Sequence, residues 1–176
     1  MDKTMLAKAI YDTARLTGQF KLRSGQVSEQ YFDKYLFESD PVLLKSIAEH
    51  LAKLIPPETE ILAGLEMGGM PVATALSLET GIPVVFVRKK AKEYGTCKLA
   101  EGQSIEGKKV CIVEDVVTTG GQILLSAKDL VQYGADVQYV VSVIEREAIG
   151  RENLEQAGLH YLSLFQMDEL LSASSA

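Results

Sequence analysis

At 176 residues and a net charge of −6, the chain is long enough to bury one sizeable core and too acidic for the clustered Lys and Arg of a nucleic-acid surface. Its hydrophobic residues (47%) are interleaved with charge, so no run approaches the roughly 18 apolar residues of a membrane span, and the N-terminus lacks a signal peptide's apolar stretch. The cytoplasm is the expected compartment, and Cys97 and Cys111, which are not at metal-ligand spacing, suggest neither a zinc site nor a disulfide framework.

Met5, Ala9, Ile10 and Ala14, with Leu16 or Thr17 one turn on, share a helical face over residues 3–17, and Gly18 follows as a stop. Phe20, Leu22, Tyr31, Phe32, Tyr35 and Phe37 are then spread through Ser, Gly and charged residues in short alternating runs, which predicts two strands around a Ser24-Gly25 turn. Such a cluster ordinarily forms a small satellite core; its functional use would be a flat aromatic cap over a planar base. Asp40 and Pro41 open a helix through Leu44, Ile47, Ala48 and Leu51 to Pro56.

From there the period changes. Ile61, Leu62 and Ala63 form a short strand, Gly64 to Met70 a Gly-rich loop, and Pro71 opens a helix carrying Val72, Ala75, Leu76 and Leu78 to Gly81. Glycines before a helix are a weak anion-binding signal alone, since turns also need them. Ile82 to Val87 is the next strand, and the strand–helix alternation predicts an α/β architecture with a parallel sheet joined by right-handed crossovers.

Arg88 to Lys109 is the most polar segment, and Arg88, Lys89, Lys90 and Lys92 are the densest cations of an acidic chain. Loops this long usually act as lids or binding loops. A solvated basic hairpin is the plainer alternative.

Val110 to Gln122 carries the most chemistry. Val110, Cys111, Ile112 and Val113 form an apolar strand of the kind buried on both faces of a parallel sheet, and the strand ends on Glu114 and Asp115, at the edge where open α/β sheets bind ligands. Thr118, Thr119, Gly120 and Gly121 can turn N–H groups and hydroxyls onto one anion. Ile123, Ala127, Leu130 and Val131 continue as a helix to Gly134, which puts the loop at a helix N-terminus, where phosphate is favoured. The closing Gly-Lys-Ser/Thr of a nucleotide-binding P-loop is absent, and carboxylates suit the hydroxyls of a sugar. The stretch therefore suggests a ligand bearing both ribose and phosphate, against the plainer alternative of a Gly-rich turn with two solvated acids.

Val137 to Ile144 is a further strand and ends in Glu145-Arg146-Glu147; a lone arginine among acids is usually a surface ion pair, but this one falls at the same carboxyl edge. Arg151 to Ala157 predicts a short helix, His160 to Phe165 a last strand and Asp168 to Leu171 a terminal turn. His50 and His160 have no motif around them, and no linker divides residues 1–176, so a single domain is expected.

Taken together, four apolar residues, two acids, two more apolar residues, Thr-Thr-Gly-Gly and a helix resemble the phosphoribosyl pyrophosphate (PRPP) motif of the type I phosphoribosyltransferases. Further segments extend the resemblance over nearly the whole chain, toward the orotate-specific members. Phe20-Lys21-Leu22-Arg23-Ser24-Gly25, with Ser28 and Tyr31-Phe32, is similar to their hood signature; Gly64 to Pro71, with Glu66, Met67, Gly68 and Gly69, to their pyrophosphate loop; and Arg88-Lys89, Lys92 and Tyr94-Gly95 to their catalytic lid. Arg146 matches the arginine that holds orotate.

The resemblance implies the type I phosphoribosyltransferase fold, a central mainly parallel sheet flanked by helices, with a small N-terminal hood from residues 18–40 over the base site. It implies transfer of the phosphoribosyl group from PRPP to orotate, with Lys89, Lys92 and Asp115 catalytic. Arg88, Lys89, Lys92, Glu114, Asp115, Val116, Val117, Thr118, Thr119, Gly120, Gly121 and Gln122 would bind PRPP, and Arg23, Thr118 and Arg146 orotate. Mg²⁺ would be held mainly through the substrate, with no protein ligand assigned, and a homodimer would let each lid act on the neighbouring site. Three positions depart from the family pattern: Gln122 in place of a closing Ser or Thr, Tyr94 where longer bacterial relatives carry histidine, and Gly68 where some relatives place lysine. A phosphoribosyltransferase for adenine or xanthine, or a regulator on the same fold, is the alternative.

Overall fold

The computed structural model describes every residue except Arg23, Thr96, Cys97 and Ala176. In chain order the elements are α1 (Lys3–Ala14), β1 (Arg15–Lys21), β2 (Val27–Phe32), α2 (Lys34–Glu38), α3 (Pro41–Leu51, prolonged by a 3₁₀ turn Ala52–Leu54), β3 (Ile61–Leu65), α4 (Gly69–Thr80), β4 (Val84–Val87), β5 (Ala100–Glu101), β6 (Lys109–Val117), α5 (Gly121–Gln132), β7 (Asp136–Glu145), α6 (Ala148–Gln156), β8 (His160–Gln166) and α7 (Met167–Ser175).

Six strands pair in the order β5-β4-β3-β6-β7-β8, all parallel except β5. Strand alternation divides the core between the two faces of this sheet. Leu62, Cys111, Val113 and Val141 belong to a cluster that includes Leu6, Ile10, Ile47 and Leu76 of α1, α3 and α4. Ile61, Ala63, Val110, Ile112 and Val140 belong to a second cluster with Ile123, Ala127, Leu130 and Leu154 of α5 and α6. The chain leaves β3 toward β4 on one side and β6 toward β7 on the other. Between these neighbours the connections diverge, which opens the crevice where such sheets bind ligands.

Several local expectations give way to longer-range contacts. The first helix stops at Ala14 instead of Thr17, because Arg15 is already extended (φ −77°, ψ 118°) and Leu16 and Phe20 pair with Tyr31 and Ser28. The two hood strands flank the expected turn, where Gly25 donates to the Leu22 carbonyl over 2.8 Å and Gly25 itself takes a positive φ of 87°. Tyr35 and Phe37 fall in α2, capped by Asp33, whose side chain accepts from the Tyr35 N–H at 3.1 Å. Part of the aromatic cluster joins the main core: Phe37 is fully buried, its ring 6.3 Å from that of Phe32, which in turn packs 6.2 Å from Tyr11. The terminal turn is a nine-residue helix, α7, anchored by buried Leu170 and a Lys3–Glu169 contact of 3.6 Å. α6 starts at Ala148, three residues before the expected Arg151, and β5 breaks the polar segment after β4. Among the described residues no helix is long and apolar enough to cross a membrane.

Candidate active site

β6 runs through the acid pair rather than ending before it. Asp115 is fully buried and Glu114 half-buried on the strand's last turns of pleat, beside the loop that leaves β3. Glu114 Oε1 accepts from the Asp115 N–H (3.0 Å), and Asp115 Oδ1 accepts from the Val116 N–H (2.6 Å). The other Asp115 oxygen meets the Lys34 ammonium at 2.6 Å.

Glu38, one turn along α2 from Lys34, completes the cluster. It is 5% exposed, and no donor stands beside either of its carboxylate oxygens. An ionised carboxylate there would be buried without a partner, so it keeps its proton: burial, then hydrogen bonding to Asp115, push its pKa up to about 9. Burial and the Asp115 charge also hold Glu114 well above the ordinary carboxylate range. Burial alone would raise Asp115 too, but hydrogen bonds from Glu38 and Glu114 and the charge of Lys34 outweigh it and keep Asp115 below its usual value. For Lys34, burial is again opposed and overcome by Asp115, and its pKa stands above that of a free lysine. The cluster therefore favours the ionised form of Asp115 and the charged form of Lys34 beside it. Neither Lys34 nor Glu38 was expected from the sequence. Their one signal, a four-residue spacing on a short helix, is masked by the surrounding alternation of aromatics.

The Gly64–Met70 loop lies directly on these acids. Gly68 and Gly69 are buried; a Cβ on Gly68 would stand 1.7 Å from Asp115 Oδ2, and one on Gly69 2.4 Å from the Val113 carbonyl oxygen. Glu66 and Met67 are exposed, joined by a cis peptide. Helix α4 then starts from Gly68 with no side-chain cap. The loop after β6 repeats this arrangement: Gly120 takes φ 75° and α5 also opens with no side-chain cap from its N-cap residue, the Gly121 N–H reaching Thr119 Oγ1 at 3.5 Å, at a helix end that favours an anion. Thr118 and Thr119 are exposed beside it, and Asn153 of α6 fixes the loop by donating to the Thr119 carbonyl at 2.9 Å. Val116 and Val117 bring backbone only; the Val117 carbonyl accepts from the Arg146 N–H at 2.8 Å. Gln122 is exposed and its amide donates along the helix to Ser126 Oγ at 3.3 Å.

The basic segment is held at this edge through one acid. Glu101 Oε1 takes Arg88 Nε at 3.3 Å and also Lys92 Nζ, and their hydrogen bonds, that of Lys92 foremost, lower the Glu101 pKa. The Lys89 N–H donates to Glu66 Oε2 at 2.9 Å, leaving the Lys89 side chain in solvent. Between the basic segment and the Gly64–Met70 loop lies a cleft of about 440 Å³ lined by Glu66, Met67, Met70, Phe86, Arg88 and Glu101.

Arg146 is exposed and lines a second cleft, of about 190 Å³, with Arg15, Gln30, Tyr31 and Phe32 of the hood hairpin. Its acidic neighbour Glu145 is bound instead by Arg151, through Nε–Oε1 (3.0 Å) and Nη2–Oε2 (2.5 Å) contacts. Arg146 makes no ion pair among the described residues, so the surface ion pair its acidic neighbours suggest does not form. Arg23, expected at the base, lies outside the described residues.

Residues 39–155 match the family model described as Phosphoribosyl transferase domain. An orotate phosphoribosyltransferase of a Nocardioides species is 49% identical over 97% of this chain and 96% of its own length. The chain belongs to the orotate phosphoribosyltransferase family. Solved structures agree with that family at the level of the fold: the Mycobacterium tuberculosis orotate phosphoribosyltransferase in complex with Fe(III) dicitrate superposes with a TM-score of 0.87 and 29% identity, covering 97% of this chain and 99% of the other. The same enzyme in complex with PRPP gives 0.82 and 27%, with the same coverage. Within the family fold, the central sheet is mainly parallel and helix-flanked, as the resemblance implied.

Proposed function

We propose that the chain transfers the 5-phosphoribosyl group of PRPP to orotate, forming orotidine 5′-monophosphate and pyrophosphate in pyrimidine nucleotide biosynthesis. The observation that carries this is the acid pair on β6, set between two uncapped helix N-termini at the sheet's switch point. One ligand with a ribose between two phosphate groups suits that order. The 5′-phosphate belongs at Thr118 to Gln122, the ribose hydroxyls at Glu114 and Asp115, and the diphosphate at Glu66 to Gly69 and the start of α4.

With the 5′-phosphate anchored, C1′ is fixed against the base, which supplies the proximity contribution. As the C1′–O bond stretches, the ribose becomes oxocarbenium-like and the diphosphate gains negative charge. Arg88, Lys89 and Lys92, closing over it where water is excluded, stabilise that charge. Lys92 and Arg88 rest on Glu101 here, so closure exchanges one carboxylate for the diphosphate. Mg²⁺ would be held mainly through the substrate, with Glu114 and Asp115 orienting the ribose, and would supply Lewis-acid neutralisation of the leaving group. Each lid would act on the neighbouring site of a homodimer in the cytoplasm.

Orotate is a planar anion, and Arg146 beside Tyr31 and Phe32 offers it a bidentate fork and an aromatic cover. Arg146→Lys is expected to raise the KM for orotate about tenfold or more while PRPP affinity stays nearly intact, as steady-state kinetics with each substrate varied will show. Equal loss for both substrates would make the arginine structural. A base panel of orotate, adenine and xanthine with PRPP and Mg²⁺, followed by pyrophosphate release, tests the activity itself. Turnover of another base in preference to orotate would overturn the base assignment, and silence with every base would favour a regulator.

A further inference from the structure

The Gly68 turn lies against a carboxylate and has no room for a side chain: Asp115 Oδ2 occupies the place of a Cβ at Gly68. That same oxygen is held by Lys34 at 2.6 Å, from an element outside both the loop and the lid. Lys34 is one-third exposed while its carboxylate partner is 1% exposed, so the lysine reaches the buried acid from a partly open position. Glu38, on the next turn of α2, is a second buried carboxyl group of the cluster, 5% exposed. A lysine there costs side-chain order and desolvation, and an isolated structural ion pair is a poor reason to place three carboxylates around it.

We propose that Lys34 is a positioning residue of the PRPP site: it aims and charges Asp115 for the ribose hydroxyls and brings to the Gly68–Gly69 turn the positive charge that the turn has no space to carry. This rests on the PRPP reading of the site. In consequence α2, the helix that follows the hood hairpin, couples the hood to the ribose. The diphosphate meets one cation from the body of its own subunit in addition to the lid.

The groups facing Asp115 are Lys34 and Glu38 from α2 and Glu114 from its own strand. Removing the ammonium leaves Asp115 facing two carboxyl groups, so it retains its proton to higher pH. Lys34→Met is therefore expected to weaken PRPP binding, measured by calorimetry with Mg²⁺ and no base, by about tenfold or more. It is also expected to move the acid limb of kcat/KM for PRPP to higher pH while the KM for orotate changes little. Lys34→Arg, which keeps the charge, should recover part of the PRPP affinity. Lys34→Gln, which keeps a donor for Asp115, serves if the methionine variant does not fold, and the same weakening is expected of it. Unchanged PRPP affinity, or equal loss for PRPP and orotate with no shift of the acid limb, would overturn the proposal. If the wild-type protein binds PRPP but transfers it to no base, the orotate assignment fails, and Lys34 is still judged by its effect on PRPP binding alone.

Discussion

Lys92→Ala lowers kcat with orotate by about 10²-fold or more while KM for orotate moves little, on the scale of one lost transition-state donor. The reason lies in when the lysine acts. In the structure its ammonium rests on Glu101, together with Arg88, at the foot of the segment between β4 and β5. The Lys92 and Glu101 side chains are half-buried, and a single pair of this kind near the surface adds little to stability. The wild-type ion pair therefore offers no substitute for what the diphosphate takes up as its charge grows, and truncation should leave the unfolding midpoint unchanged. Steady-state and single-turnover rates at saturating PRPP check the effect, and unchanged turnover would remove Lys92 from catalysis. The same variant tests the assembly. If the lid acts on the neighbouring subunit, mixing Lys92→Ala with Asp115→Asn restores up to one working site per heterodimer; absence of any recovery would argue for a lid acting on its own subunit.

What the sequence revealed and what it concealed divide along physical lines. Val110 to Val113 was legible because a parallel strand covered on both faces must be apolar throughout, and Thr118 to Gly121 because a tight turn into a helix demands those residue types. Arg15 to Thr17 was not: its helical spacing is genuine, but pairing with Gln30 to Phe32 outweighs a preference of tenths of a kcal/mol per residue. β5 is two residues long and carries no period at all, yet it places the acid that holds Arg88 and Lys92. The same limit applies to charge. Glu145 could have belonged to adjacent Arg146, but the return of α6 brings Arg151 onto it and leaves Arg146 at the hood. Lys34 and Asp115 meet only because α2 packs beside the end of β6, a fact of topology with no local trace. The motif residues proposed to bind were visible; those that meet them through space were not.

Gly68→Ala is expected to reduce both stability and PRPP binding, out of proportion to one methyl group. The backbone at Gly68 is in the right-handed helical region (φ −67°, ψ −29°), which alanine adopts freely, so any loss comes from the contact and not from conformational strain. The new Cβ would stand 1.7 Å from Asp115 Oδ2 and 2.5 Å from its carboxyl carbon. Asp115 has little room to yield, since one oxygen is tied to the Val116 N–H and the other to Lys34. Overpacking of this kind typically costs about 1–3 kcal/mol. Displacing the carboxylate also removes the acceptor for the ribose, so PRPP affinity should fall about tenfold or more, the scale of one lost charge-assisted hydrogen bond. Gly121→Ala is the steric control, because its Cβ would meet only Thr119 Oγ1 at 3.7 Å, an ordinary contact, and its urea midpoint should stay near wild type. If Gly68→Ala unfolds at the wild-type urea concentration and binds PRPP equally well, the turn has slack that the structure does not show. The claim that Lys34 stands in for a side chain at Gly68 would lose its steric basis with it.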